Sequence, residues 1–411
     1  MKGIDGIPSL HLIALNKLIS KLPKAPTMFF SNLFPTAKAE SDTIMWEIEY
    51  GSSGMTPFVA PGSIAPAIGT DGIGEASAKA AFMKEKIYFD EEFLNNMRQV
   101  GTFATFQTAQ RKLAKGLQKL NYRVDRRREW MMAKMLIDGS LTYTQKGGTK
   151  FTVSYGVPDS HLVTLGTDYK WGTGTSRSPM SDIMTGKTVL RDDAGVGLEK
   201  SVLNSVLLKV LLLDSDIQSL LKSSAFGDGN LFSNPSQVLG TLLGCGDIMV
   251  YDEFYEIPAN LIANVTGGSS TVIYVDDASD FEVGGTLRFH DCSSAARSSY
   301  EDETISEVDA QAGTVTVATA PTASFTANED VVTMKKKYIA DNKFFMFSTT
   351  GADGQKAAEF MEAPYGIDRR WGKFVDRKVE WDPEGLWMRI QDKGLPVMYN
   401  PDTTYTITAT S

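Results

Sequence analysis

The 411-residue chain is poor in the residues that secreted or metal-dependent proteins rely on. Two cysteines, Cys245 and Cys292, cannot build a disulfide framework, which fits a protein matured in a reducing compartment. Three histidines, His11, His161 and His290, leave little material for a metal centre, and none lies beside a recognisable nucleophile elbow. Basic residues are not in excess. With 41 Lys and Arg against 50 Asp and Glu, the formal charge of −9 argues against a surface that coats nucleic acid all over. Long apolar runs are missing as well: Val206 to Leu213, the longest, contains Lys209 and is far too short to span a bilayer, so no membrane partner is expected. Residues 7–22 are apolar but interrupted by polar residues, and no small-residue cleavage site follows, which is unlike a signal peptide.

What is present is ample core material, 42% hydrophobic residues, in a length that suits two or three domains. The most regular stretch runs from Gly101 to Gly139, with no proline and one internal glycine, Gly116. Phe103, Phe106, Leu113, Leu117, Leu120, Val124 and Met131 recur at three- and four-residue steps and mark one helical face. Lys112, Lys115, Lys119, Arg123 and Arg126 mark a neighbouring face. About 35 helical residues make a rod roughly 50 Å long. Such a rod must lie across a domain or hold several together.

Around this rod the chain divides. Residues 7–22 predict a short amphipathic helix, and Met28, Phe29, Phe30, Leu33 and Phe34, crowded between prolines, predict an extended arm with apolar anchors seated on another element or subunit. Ile44, Trp46, Ile48 and Tyr50 alternate as in a strand, and a Gly/Pro-rich stretch containing Phe58 leads back through Met83, Ile87 and Phe89; together these predict a long projecting hairpin. A second hairpin is expected over Leu141–Val153. A short helix is expected from Ser178-Pro179, a buried strand over Val206–Leu213 with a capped helix after it, a helix opening at Asn234-Pro235-Ser236, and a strand over Ile248–Ile257. Short β-branched runs from Asn260 to about Met334 predict a small all-β module interrupting an α/β pattern, which resumes at Lys343. Four tail strands are expected to form one antiparallel sheet.

Few motifs point to chemistry. Gly186-Lys187-Thr188 matches the end of a phosphate-binding loop and the run to Asp214 an acidic strand, so a nucleotide-binding enzyme using the 186–214 region is one reading. Ser181 stands where the first glycine is needed, and a polar loop with a surface lysine is the plainer reading. His290 and Cys292 fall short of a zinc site, and Asp276-Asp277-Asp280 and Glu301-Asp302-Glu303 read as solvated loops rather than cation sites. No catalytic, metal-binding or cofactor-binding residue is expected. The basic helical stripe has three readings: contact with acidic groups on a neighbouring subunit, a solvated face, or contact with nucleic acid. Arg126-Arg127-Arg128 is its densest part. A host- or glycan-binding protein acting through the β module is a further alternative.

The order of parts resembles the major capsid protein of tailed bacteriophages, the Hong Kong 97-type fold, and within it the lambda-type family. PTMFFSNLFP, RRREWMMAKMLIDGSLT, VLLKVLLLDSD, GDIMVYDEFYE and the closing KGLPVMYNPDTTYTITAT carry the resemblance. It implies an α+β subunit with an N-terminal arm (1–46), an extended loop (47–88), a peripheral domain with a spine helix (89–154), an axial domain (155–258 and 336–365), an inserted β domain on the outer surface (259–335) and a closing peripheral sheet (366–411). It also implies a non-enzymatic shell protein of the virion, assembled in the bacterial cytoplasm. Hexamers and pentamers of the chain would tile an icosahedral shell around double-stranded DNA, which would meet the inner face non-specifically. Portal and scaffold proteins would be partners, with a decoration protein possible. Phe29, Phe30, Phe34, Trp46, Phe58, Arg126, Arg127 and Arg128 are the candidates for contacts between subunits. Met1 at the start is read as a sign against N-terminal cleavage, and no motif supports a crosslink through Lys84 or Lys86.

Overall fold

The computed structural model describes residues 10–23, 28–49, 58, 73–93, 103–145, 148–223, 235–292, 300–382 and 384–410. The rod is there: one helix spans Phe103–Asp138. Leu113, Leu117, Leu120 and Val124 on its apolar face are buried against Phe89, Val375, Leu386, Met388 and Ile390. Gly116 sits at the closest approach, where an added Cβ would meet the Phe89 ring at 3.0 Å. The helix ends because Gly139 takes a φ of +63°, a left-handed conformation open to glycine at little cost.

Three larger sheets surround it. In the first, the 15-residue strand Glu384–Met398 runs through the middle. It pairs antiparallel with Ala81–Asp90, Phe374–Trp381 and Ala358–Glu362, and Thr36–Lys38 of the arm adds a parallel edge. The Leu12–Lys21 helix and the first half of the long helix cover one face. The second sheet is mixed, in the order Leu162–Thr164, Thr404–Thr408, Lys343–Phe347, Lys200–Leu203, Asp247–Val250. Helices Pro179–Ala194, Ser205–Leu212, Ser215–Ser223 and Pro235–Leu243 pack with it around Leu203, Leu207, Leu211, Phe344 and Met346. The third is an all-antiparallel sheet of six strands lying between Phe254 and Lys337, and those two residues are themselves register partners.

Several expectations give way. Val206–Leu213 is not a strand but the Ser205–Leu212 helix, started by Asn204, whose side chain accepts from Leu207 N–H at 2.9 Å. Only Leu207, Leu208 and Leu211 of this helix are buried while Val206 is exposed, so the continuous apolar run hides a one-sided helix that periodicity alone does not distinguish from a strand. The neighbouring strand is Lys200–Leu203. Ile248–Ile257 is two strands in two sheets, broken at Tyr251–Glu253. The tail runs through LWMRIQD and LPVMY as one strand, and Thr404–Thr408 crosses to the mixed sheet. The arm is not extended throughout: Phe30–Leu33 forms one helical turn.

The hairpin also differs. Thr43–Glu49 pairs with Ile73–Lys79, and Ile44, Trp46 and Ile48 are buried in the chain's own core, so this part lies on the body rather than projecting from it. The Ala81–Asp90 strand belongs to the first sheet. The hairpin's Gly/Pro-rich stretch, apart from Phe58, and the expected Asn234 cap lie outside the described residues.

Candidate functional site on the long helix

The second half of the long helix carries charged residues at nearly every outward position, and these reach four other parts of the chain. Glu129 is fully buried. Its Oε1 accepts from the backbone N–H of Phe29 (2.9 Å) and Phe30 (2.8 Å) and from the Tyr251 hydroxyl (3.0 Å). Its Oε2 accepts from the N–H (2.8 Å) and hydroxyl (2.6 Å) of Ser31. The carboxylate therefore takes up the free N–H groups that open the Phe30–Leu33 turn. Burial, and then the neighbouring Glu129 charge, push the Tyr251 phenol well above its usual range.

One residue earlier, Arg128 forks onto Asp392, with Nε to Oδ2 and Nη2 to Oδ1 both at 2.6 Å, and reaches Glu362 at 2.7 Å. Asp392 is fully buried. Burial works against the Arg128 charge, but Asp392 and Glu362 more than offset it and raise its pKa. Nearer the start of the helix, Lys373 of the first sheet's loop is bonded to Asp125 and, at 2.8 Å, to Asn121.

The six-stranded sheet is fastened through Glu282. That carboxylate accepts from Trp130 Nε1 (3.0 Å), Tyr255 hydroxyl (2.6 Å), Lys134 (3.2 Å) and Lys336 (2.9 Å). Burial alone would raise its pKa, yet Lys134 and Lys336 prevail and hold it at about 2. Arg127 adds an ion pair to Asp280 at 2.5 Å. The mixed sheet is tied by Lys343 to Asp138, and by the Thr406 hydroxyl to the Ile137 carbonyl at 2.9 Å.

The aromatic candidates lie in the same core. Phe30, Phe34 and Trp46 are almost completely buried and Phe29 is partly so. Phe29 and Phe30 meet edge-on at 5.1 Å, Phe30 reaches Phe345, Phe34 reaches Phe347, and Trp46 lies 5.9 Å from Tyr155. Within the single subunit the side chains of Phe30, Phe34, Trp46, Arg127 and Arg128 are engaged inside the chain that carries them. Arg126 and Phe58 are exposed. Sequence reasoning missed Glu129 and Glu282. The one available signal was Glu129 beside the three arginines; nothing marked Glu282, whose partners are distant in sequence.

The other motifs bring no chemistry together. Gly186-Lys187-Thr188 lies inside the Pro179–Ala194 helix, not in a loop, and a Cβ at Gly186 would run into Met346 and meet Tyr405 at 2.7 Å. That glycine permits helix-to-sheet contact. His161 is buried with Nδ1 on the Thr404 carbonyl (2.7 Å) and Nε2 on Asp193 (3.0 Å), so both ring nitrogens are engaged. Burial pushes the Cys245 thiol up to about 12, which makes it inert. Among the described residues no three His, Cys, Asp or Glu side chains group as metal ligands, and no helix is long and apolar enough to cross a membrane.

One helix thus gathers the arm and all three larger sheets, and the comparison with protein families shows what kind of protein it organises. The model of phage major capsid protein E matches residues 12–260, more than half of the chain. The chain belongs to that family. This capsid subunit is similar in fold to a protein assigned as the capsid protein of an Escherichia coli CFT073 prophage, at 12% identity over 97% of this chain and 99% of that one, with a TM-score of 0.53. A phage-related protein of Bordetella bronchiseptica RB50 matches over 96% of both chains at 12% identity, with a TM-score of 0.48, too low to argue from. No curated protein matches the sequence. The subunit is thus a mixed α/β phage capsid protein that forms the capsid shell, and its place is the virion. Neither the nucleotide-binding nor the glycan-binding alternative gains support.

Proposed function

We propose that the capsid subunit closes into hexamers and pentamers of an icosahedral head, acts without catalysis, and is assembled in the bacterial cytoplasm. The observation that supports this best is the convergence of the arm and all three larger sheets on residues 125–138 of one helix. A subunit held rigid in this way presents the same surface in every copy, and symmetric repetition then makes weak contacts sufficient. Arg126 and Phe58, exposed in the single subunit, are proposed as contacts with neighbours.

The domain division offered by the resemblance is kept as part of this proposal, with residues 259–335 as an inserted β domain on the outer surface. The pairing of Phe254 with Lys337 supports it, since an insertion needs adjacent ends. Double-stranded DNA on the inner face, a portal, a scaffold and a decoration protein are proposed partners.

Expression of the full chain followed by sedimentation and negative-stain microscopy tests the reading. Ring-shaped capsomers or closed shells are expected; a monomer at every salt concentration overturns it. Deleting residues 260–334 separately tests the outer β domain, and shells are expected to form without it.

A further inference from the structure

The strand Phe374–Trp381 is the outermost of the first sheet: it pairs with Glu384–Met398 on one side and, among the described residues, with no strand on the other. Asn16 of the Leu12–Lys21 helix shows which way its backbone faces. The Asn16 side chain accepts from Val375 N–H at 2.8 Å and donates to the Val375 carbonyl at 3.1 Å, so both Val375 groups point away from the sheet. Antiparallel strands alternate, which turns the N–H and C=O of Arg377, Val379 and Trp381 outward as well. Asn16 thus imitates one rung of a further strand. Beyond that rung Val379 and Trp381 are 52% and 86% exposed. Outward backbone groups beside exposed apolar side chains make a template for pairing with another strand.

The residues of this edge are complementary to themselves. Run antiparallel to a second copy with Val379 opposite Val379, the strand sets Lys378 opposite the partner's Glu380, twice by symmetry, and Trp381 opposite the partner's Arg377. Within one subunit Lys378 and Glu380 pair with each other at 3.2 Å, and the Lys378 side chain is 74% exposed. Other registers fail. Centring on Lys378 or Glu380 opposes like charges, and centring on Trp381 sets Glu380 against Asp382. Centring on Arg377 needs the Val375 rung that Asn16 occupies. The alignment that remains makes Val379 a hydrogen-bonded pair, in keeping with its outward groups.

We propose that Phe374–Trp381 of one copy pairs edge to edge with the same strand of a second copy, about a two-fold axis through Val379. Such a contact is isologous: it uses the same patch on both copies and is complete with two. It cannot close a hexamer or a pentamer, so in a shell it joins one capsomer to the next. The inference rests on the shell-forming function and goes beyond it in naming the seam between capsomers.

Particle yield from expression of the full chain, assayed in low salt, tests it. Lys378→Glu places two carboxylates on each of the charged rungs, and Glu380→Lys two ammonium groups. Each variant alone is expected to lower shell yield at least tenfold while ring-shaped capsomers persist. Co-expressed, the two complement each other on both rungs, and shells are expected to return. Val379→Cys, which changes no charge, is expected to give a disulfide-linked dimer on oxidation of assembled shells, because Cα atoms of such a pair are about 5.5 Å apart. Wild-type yield from either single charge variant overturns the proposal, as does failure of the co-expressed pair to recover when each subunit keeps the wild-type Tm. Shells of Val379→Cys that stay monomeric on a non-reducing gel also overturn it. So does loss of the capsomers along with the shells, which would put this edge inside the ring. If the wild type itself forms no particles under these conditions, the shell-forming reading fails instead.

Discussion

The carboxylate of Glu129 accepts the backbone N–H of Phe30 at 2.8 Å, joining residues 99 apart in sequence. Through that bond the longest helix starts one of the shortest.

Removing the acceptor leaves several buried donors, including the Tyr251 hydroxyl, without a partner. Glu129→Ala is expected to destabilise the subunit by about 3–5 kcal/mol, as for one member of a buried charged network. Chemical denaturation measures the loss. Limited proteolysis should cut within residues 28–36 faster than in the wild type, and unchanged cutting there would mean the arm is held by its aromatic rings alone.

Arg128 and Asp392 form a two-point contact in which one partner is fully buried. Arg128→Met is expected to cost about 3–5 kcal/mol because Asp392 is left charged and unpaired. Arg128→Lys should recover less than half of that, since an ammonium group cannot fork onto both oxygens. A double-mutant cycle with Asp392→Asn reads the coupling directly, and additive losses would contradict this geometry.

Glu282 gives the subunit an acid limit. Its carboxyl is depressed from 4.5 to about 2 in the folded state, so its contribution is complete above pH 4.5 and declines as pH falls towards 2. The shift corresponds to on the order of 3 kcal/mol. Denaturation curves of wild type and Glu282→Gln should therefore converge between pH 4.5 and 2. A constant difference across that window would assign acid sensitivity to other carboxylates.

Gly186 makes a steric prediction rather than a nucleotide one. Gly186→Ala is expected to cost about 1–3 kcal/mol by pressing on Met346 and Tyr405. Lys187→Ala should be nearly neutral. Nucleotide binding is expected from neither the wild type nor the variants, and isothermal titration checks this.

The fold was legible where period and length agree. The spacing of Leu113, Leu117, Leu120 and Val124 marks the long helix, and the alternation of Ile44, Trp46 and Ile48 marks a strand with one buried side. It was illegible where apolar residues also occupy an exposed face, as in Ser205–Leu212, where Val206 is exposed while Leu207, Leu208 and Leu211 are buried. The charged network was half visible. Arg126 to Arg128 announced themselves as a dense cluster, but Asp280, Glu362 and Asp392 follow by 150 residues or more, and no local pattern says which arginine meets which acid. Partner choice there is a property of the tertiary fold.

Phe254 and Lys337 face each other as the outermost rung where the six-stranded sheet joins the body. Directly opposed antiparallel residues have Cα atoms about 5 Å apart, the gap that a short turn can bridge. In chain path, everything between them spans a gap that a single turn could close, while Glu282 and Asp280 tie the intervening sheet back to the long helix. For the inserted domain proposed above, this rung would be the splice point at which an engineer could exchange residues 260–334 while the two strand stubs keep their register.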